Sequence, residues 1–570
     1  MAYKVADALL DVLMQAGAKR CYGVAGDTLN QFTDAVRRSD MRWIHVRHEE
    51  AGAMAAGADA LLTGELALCA GSCGPGSLHF INGLWESNRN RAPVVLIASQ
   101  IVRDELGFDF PQEVDFKAIY SKGTVFCEEI RTPSQARRMT AVAAQAALSH
   151  KGVAVLIVPA DVSQAPAPDE PHFAVHRAAP HMRPSDQELA HIAALLNGGK
   201  KIAIYGGSGC AAAHDQVVAL ADCLKAPVAR TSRAKDFLAY DNPFDVGMTG
   251  VFGTKGGYDA LLECDTLLLL GCDFAWRQFY PGEATIIQID INGAHLGRRH
   301  PVTLGAVGDI GPTIEALLPR LTPRTERGFL DAILATAQKA SEKLDARAVT
   351  GSGAIHPQYL VETISRLAAP DAVYTADGGS PMVWCLRHVH STGKNRTLVS
   401  LSHGTMANAM PQALGAQAAY PARQVISLSG DGGLSMLLGD LLTTIQEKLP
   451  IKICVFNNGS LGFVELEQKV EGLLDAYTDL VNPDFSRVAE AIGLWSRRVE
   501  KPGDVEEAVQ AWLAAPGPGL LDVVVERSEL VMPPKVEAKQ VLGTALYSAK
   551  AILAGRGGDA VELIKQAIEP

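Results

Sequence analysis

Residues 428–463 read LSGDGGLSMLLGDLLTTIQEKLPIKICVFNNGSLGF, and this stretch decides the architecture. An apolar strand (residues 425–428) runs into Gly430-Asp431-Gly432-Gly433. A helical pattern follows, Pro450 closes it, and a second apolar strand (residues 452–456) ends on Asn457-Asn458. Strand, helix and strand in that order form a parallel crossover unit, whose ligands collect at the C-terminal ends of the strands. Asp431 offers a hard carboxylate, Asn458 a neutral amide oxygen, and the next loop a backbone carbonyl, assigned to Ser460. Mg²⁺ takes few protein oxygens and completes its octahedron with water and phosphate oxygens. Gly430, Gly432 and Gly433 let backbone N–H groups approach a diphosphate at a helix N-terminus.

Working outward, short apolar runs alternate with longer helical patterns. Examples are residues 93–98 (PVVLIA), 153–158 (VAVLIV), 201–205 (KIAIY), 266–270 (TLLLL) and 286–291 (IIQIDI). Near-continuous apolar strands suit parallel sheets covered by helices on both faces. Two breaks divide the chain: the Pro-rich residues 164–171 (QAPAPDEP), and residues 319–353, with Pro319, Pro323 and Gly351-Ser-Gly353. The expectation is an α/β protein of three doubly wound parallel-sheet domains, residues 1–180, 181–345 and 346–531, with a C-terminal helical tail, residues 532–570.

A chain of 570 residues exceeds what one core organises. Its net charge of −11 argues against nucleic acid as a partner. The ten cysteines lack zinc or disulfide-scaffold spacing and read as buried thiols in a reducing cytoplasm. The N-terminus carries no signal-peptide pattern, and no apolar run approaches the roughly 18 residues that span a bilayer. The expected location is cytoplasmic, with peripheral contact on the inner face of the cell membrane.

Gly430-Asp431-Gly432 with Asn457-Asn458 resembles the thiamine diphosphate fingerprint of the superfamily of 2-oxo acid decarboxylases, acetolactate synthases and pyruvate oxidases. The resemblance implies that Asp431, Asn458 and the Ser460 carbonyl bind Mg²⁺, and that Gly432, Gly433, Gly459, Leu461, Gly462 and Phe463 line the cofactor. Arg47-His48-Glu49-Glu50 stands between a strand-like segment and the helix AGAMAAGADALL. Acidic residues there ordinarily serve the helix dipole. Thiamine also needs a carboxylate on its pyrimidine nitrogen, and the family match assigns this role to Glu49 and leaves Glu50 as a helix N-terminal charge. Residues 402–417 (SHGTMANAMPQALGAQ) read as a small-residue helix; by resemblance Met406 wedges under the cofactor, with Gly404 and Thr405 beside it.

The middle region carries Gly-rich or acidic turns after successive strands: residues 205–209, 247–253, 271–274, 288–292 and 308–310. They suit an elongated dinucleotide, with Asp290 or Asp309 placed to accept bonds from ribose or adenine. The ordered set resembles the flavin domain of bacterial pyruvate oxidases and pyruvate:quinone dehydrogenases. It implies FAD contacts from Thr249, Gly250, Val251 and Phe252, from Cys272, Asp273, Phe274, Ala275 and Trp276, and from Asp290.

That resemblance covers nearly the whole chain. It implies oxidative decarboxylation of pyruvate to acetate and CO₂, with electrons passing through FAD to a quinone. Glu49, Phe463 and Gln112 are the implied catalytic residues, and a homotetramer is the implied assembly. Pro111 departs from the family's aromatic residue before Gln112-Glu113, which bears on substrate or electron acceptor. The alternatives are an FAD-containing carboligase of acetolactate synthase type and a 2-oxo acid decarboxylase. In the tail, residues 536–554 and 559–568 show helical spacing with acidic residues near the end. The pattern suits a pair of helices packed on their own protein; the resemblance to quinone-reducing relatives implies instead a reversible, pyruvate-stimulated lipid contact, weakened by the acidic end.

Overall fold

Strands with apolar side chains on both faces have to be covered on both faces, and they organise three sheets, each of six parallel strands. The computed structural model describes residues 3–171, 173–349, 353–527, 529 and 538–553. Numbered in chain order within each sheet, the first (strands from Arg20 to Pro159) and third (strands from Val373 to Val524) share the order 2-1-3-4-6-5. The second, between Ile202 and Val307, has the order 3-2-1-4-5-6, the arrangement of dinucleotide-binding sheets. All three are α/β, as the alternation of apolar runs and helices implies.

The expected strands appear with small shifts of their ends: Val94–Gln100, Val153–Pro159, Ile202–Gly206, Thr266–Leu270, Thr285–Asp290, Val425–Gly430 and Lys452–Asn457. The segment between the last two differs from expectation. In place of one helix it forms Asp431–Met436, a 3₁₀ turn Leu438–Asp440, and Leu441–Gln446. A tertiary contact accompanies the break: the Asp440 carboxylate accepts the backbone N–H groups of Arg47 (2.7 Å) and His48 (3.2 Å) from the first domain.

The first and third domains share one hydrophobic core, which includes Ala53, Phe80, Leu96, Leu414, Val425 and Ile453. Its centre is the contact of the helices Glu49–Thr63 and Ala409–Ala419. Small residues allow this approach: a Cβ on Gly415 would lie 1.9 Å from the Ala55 carbonyl oxygen. Nothing larger than glycine fits there unless the helices separate. The packing thereby sets the distance between the Glu49 helix and the loop at residues 404–408.

The helix Ala538–Leu553 packs against Gly462–Val470. Lys550 Nζ donates to the Gly472 carbonyl (2.7 Å), Tyr547 is buried, and Lys469 Nζ lies 5.5 Å from its ring centroid. The remainder of the expected tail pattern, residues 559–568, lies outside the described residues. Among the described residues no helix is long and apolar enough to cross a membrane. All ten cysteines are free thiols.

Candidate active site

Val425–Gly430 and Lys452–Asn457 are neighbours in register, Gly430 opposite Phe456, so their ends deliver Asp431 and Asn458 to one edge. Asp431 Oδ1 accepts the Gly432 N–H (2.8 Å), while Oδ2 accepts the Gly459 N–H (2.7 Å) and Asn482 Nδ2 (2.8 Å). One carboxylate thus ties the two loops together. Burial pushes its pKa up against these hydrogen bonds, so a bound cation would find a desolvated negative charge there. Asn458 Oδ1 accepts the Ser460 N–H (3.1 Å). The loop is held from outside as well: Leu461 N–H donates to Thr478 O (2.8 Å), and Leu480 N–H to Gly459 O (2.9 Å). Among the described residues no cluster of three or more His, Cys, Asp or Glu suits a metal. A carboxylate, an amide and a carbonyl form instead an all-oxygen set fit for Mg²⁺.

The glycines are there for contact. A Cβ on Gly433 would lie 2.2 Å from Asp377 Oδ2, and one on Gly432 would press on Leu461 and Met406. Asp377 is fully buried, and burial pushes its carboxyl up to about 7. It accepts the N–H groups of Ala409 (2.8 Å) and Gly430 (3.1 Å), joining the segment after Met406 to the turn at Gly430–Gly433. Gly404 has φ +76°, a conformation open to glycine. Thr405 Oγ1 donates to the Met406 carbonyl (2.9 Å).

On the first domain, Glu49 opens the helix Glu49–Thr63, and its carboxylate lies 3.1 Å from His79 Nδ1. His79 stacks on His48, with ring centroids 4.9 Å apart. The Gly74-Pro75-Gly76 turn brings this ring in, and a Cβ on Gly76 would lie 3.6 Å from Glu49 Oε1. Glu50 is more than a helix-end charge. Asn82 Nδ2 donates both to Glu50 (2.7 Å) and to Thr405 Oγ1 (3.1 Å), tethering the two domains. No hydrogen bond among the described residues joins Glu49 to Asp431, Asn458 or Ser460 of its own chain. Gln112, at φ +68°, lies over the same Gly-Pro-Gly turn and accepts the Cys73 thiol (3.1 Å).

Toward the C-terminal ends of the second sheet's strands, the buried atoms Thr249 Oγ1, Arg230 Nη1 and Tyr205 Oη have no partner among the described residues. Unpaired buried polar atoms are costly, so this edge fits a polar ligand. Gly250 has φ +102°, and a Cβ on Gly207 would lie 2.3 Å from the Gly271 carbonyl oxygen. Val251 is half-buried, Cys272 is a buried thiol, Ala275 is exposed and Trp276 is 46% exposed. Phe274 packs edge-on against Tyr205. The two acids are engaged internally. Asp290 meets His295 Nδ1 (3.1 Å) and the Asn292 N–H (2.9 Å); although burial opposes it, Arg298 and Arg299 hold Asp273 down to about 2. Arg387, from the third domain, donates to the carbonyls of Phe252 and Gly253.

Three family models match the chain in order: the thiamine pyrophosphate enzyme N-terminal TPP binding domain at residues 3–119, the central domain at 189–317, and the C-terminal TPP binding domain at 377–523. The chain belongs to the thiamine pyrophosphate enzyme family. A putative thiamine pyrophosphate-containing protein of Bacillus subtilis is 34% identical over 555 residues, 96% of each chain. A pyruvate oxidase of Lactiplantibacillus plantarum is 31% identical, covering 91% of this chain and 88% of the relative. An acetolactate synthase large subunit of Parasynechococcus marenigrum is 30% identical, covering 94% and 90%. In this thiamine pyrophosphate enzyme, Glu49 falls in the matched N-terminal domain, and Asp431 and Asn458 in the C-terminal one.

Sequence reasoning missed Asp377, Asn482, Arg387 and the pair His79 and Asn82. Asp377-Gly378-Gly379 follows the strand Val373–Ala376 as Asp431-Gly432-Gly433 follows the strand Val425–Gly430, a signal present in the sequence. Asn482 has no local signature: it stands in an irregular segment, and only folding brings it to Asp431.

Proposed function

We propose that this enzyme oxidatively decarboxylates pyruvate, using thiamine diphosphate, Mg²⁺ and FAD, and passes electrons to a quinone. In the balanced reaction pyruvate loses CO₂, water supplies an acetate oxygen, and two electrons with two protons leave to the quinone. The observation that carries the reading is the contact of Phe252 with Phe463. It joins a middle-domain edge with unpaired buried polar atoms to the helix that begins at the end of the Asp431–Asn458 loops.

When bound, the thiazolium supplies a carbon nucleophile and an electron sink, and the flavin accepts two electrons. The chain's own residues do the rest. Asp431, the Asn458 amide oxygen and the Ser460 carbonyl would hold Mg²⁺, and the Gly433 N–H, beside the unhindered Gly432, would take a diphosphate oxygen. Glu49 would hold a proton at its carboxylate for the pyrimidine nitrogen, with His79 beside it orienting the group. Met406, with Gly404 and Thr405, would lie against the cofactor and help to hold it. Thr249 and Arg230 would offer a hydroxyl and a guanidinium N–H to the flavin nucleotide. Phe463 and Phe252 would keep water from the space between the two cofactors. Gln112 would approach the substrate from its place over the Gly-Pro-Gly turn.

Two chains are proposed to complete each site, within a homotetramer. In support, Glu49 makes its hydrogen bond within its own domain, while Asn82, which Glu50 holds, makes the tether to Thr405 in the third domain of the same chain. A second reading, a carboligase of acetolactate synthase type, is favoured by the 30% identical relative of that name.

The visible spectrum of the purified enzyme tests the reading. Flavin absorbance that pyruvate bleaches anaerobically and a quinone restores is the expected result. Acetolactate formed from pyruvate without an electron acceptor would establish the carboligase instead, and absence of flavin would remove the oxidase reading.

A further inference from the structure

Next to the Asp431–Asn458 loops lies a buried carboxylate that none of the roles above uses. Glu465 is 7% exposed and stands in the first turns of the helix Gly462–Val470. It accepts the Ser460 hydroxyl, Lys469 Nζ (2.6 Å) and Arg527 Nη2 (3.1 Å). Lys469 is itself buried, and Arg527 reaches across to Asp479. Residue 479 bridges to Ser460 as an antiparallel partner.

A carboxylate taken out of water is costly unless it is paired and its lone pairs are filled. Here two cations neutralise it and a hydroxyl takes a further site, so the network is satisfied and rigid. An ionised carboxylate is an acceptor only, so the Ser460 hydroxyl has to donate and its rotor is locked. The backbone on either side of Ser460 is locked as well. Its own N–H donates to Asn458 Oδ1, and the Leu461 N–H donates to Thr478 O. The Ser460 carbonyl lies between these two restraints, and Glu465 holds the side chain of the same residue.

We propose that Glu465 is a positioning residue for the metal loop. It aims the Ser460 carbonyl by holding the Ser460 hydroxyl, and so sets the affinity for Mg²⁺. The inference rests on the Mg²⁺ and thiamine diphosphate reading above. Mg²⁺ demands near-octahedral oxygen geometry, so a carbonyl free to swing is a poorer ligand. Partners that orient metal ligands commonly affect affinity by about 10- to 100-fold.

Equilibrium dialysis of thiamine diphosphate against the full-length, flavin-loaded protein over a Mg²⁺ series is the test. Ser460→Ala keeps the backbone carbonyl and removes only the hydroxyl, and should raise the half-saturating Mg²⁺ about tenfold. Glu465→Gln keeps an acceptor oxygen and should raise it by a smaller factor. The double variant should be no worse than Ser460→Ala, because both changes break one link. A merely structural role would lower the melting temperature without this shared effect on Mg²⁺. If Ser460→Ala stays within about twofold of the parent, or the two shifts multiply, the link does not set affinity and the proposal falls. A parent protein that binds no thiamine diphosphate with Mg²⁺ would overturn the cofactor reading itself, and this proposal with it.

Discussion

Phe252 of the middle domain and Phe463 of the third domain meet edge-on, with ring centroids 6.0 Å apart and planes at 60°. Such a contact contributes about 0.5–1.5 kcal/mol beyond burial and fixes the Phe252 loop against the start of the helix Gly462–Val470. The middle-domain side is buttressed by Arg387, which holds the carbonyls of Phe252 and Gly253.

If that contact orders the route between the cofactors, Phe463→Ala should slow flavin reduction by pyruvate up to about tenfold, matching the loss of one such contact. Phe463→Leu should slow it less. Stopped-flow absorbance at equal flavin content measures both, and an unchanged rate in the alanine variant would place Phe463 outside the route.

Glu49→Gln should leave folding intact and cut turnover about 10²- to 10⁴-fold, the usual range for a proton-handling side chain. Mixing unfolded Glu49→Gln and Asp431→Ala chains and refolding them together should recover activity. If two chains share each site, hybrid dimers hold one intact site in two, so recovery should approach about a quarter of the parent level. No recovery, with hybrids demonstrated by mass spectrometry, would assign each site to a single chain.

A pH dependence follows from the pair His356–Glu529, 2.9 Å apart, where the third domain's last strand gives way to the tail. The Glu529 hydrogen bond raises His356 above its ordinary 6.5. That contribution is complete below pH 6.5 and is lost as pH rises through the raised value. Although burial opposes it, His356 and Gln358 hold Glu529 below its ordinary 4.5, so its contribution is lost as pH falls through the lowered value. Between 4.5 and 6.5 both are present. The melting-temperature deficit of His356→Ala should therefore be larger at pH 5.5 than at pH 8.5; an equal deficit at both would mean that the pair contributes nothing.

The docked helix Ala538–Leu553 bears on the membrane question. Its contacts to Gly472, Asp475 and Lys469 would have to open before its apolar face could meet lipid. The expected result is reversible, pyruvate-stimulated flotation of the full chain with anionic liposomes, and none for a chain ending at Lys535. Equal flotation of the two, or none with the flavin reduced, would remove the tail as a membrane contact.

The sequence by itself determined the elements and the two loops that carry Asp431 and Asn458. Both are products of local rules: apolar runs make covered strands, and Gly-Asp-Gly and Asn-Asn turns end them within a few residues. Strand positions such as Thr266–Leu270 were legible on that ground, as was the alternation that makes three parallel sheets. Other features depend on what a segment meets in space. The expected helix after Gly433 breaks in two where Asp440 caps backbone N–H groups of the first domain, 392 and 393 residues away. Asp377 and Asn482 reach the Asp431 turn from 53 and 51 residues off. Glu50, read as a helix-end charge, is tethered through Asn82 to Thr405, 323 residues beyond that asparagine. Side-chain periodicity and turn chemistry act over one or two turns of chain, so they decide elements and loop types. Which buried carboxylate meets which N–H is decided by how the sheets dock, because only docking removes the water that would otherwise satisfy both groups.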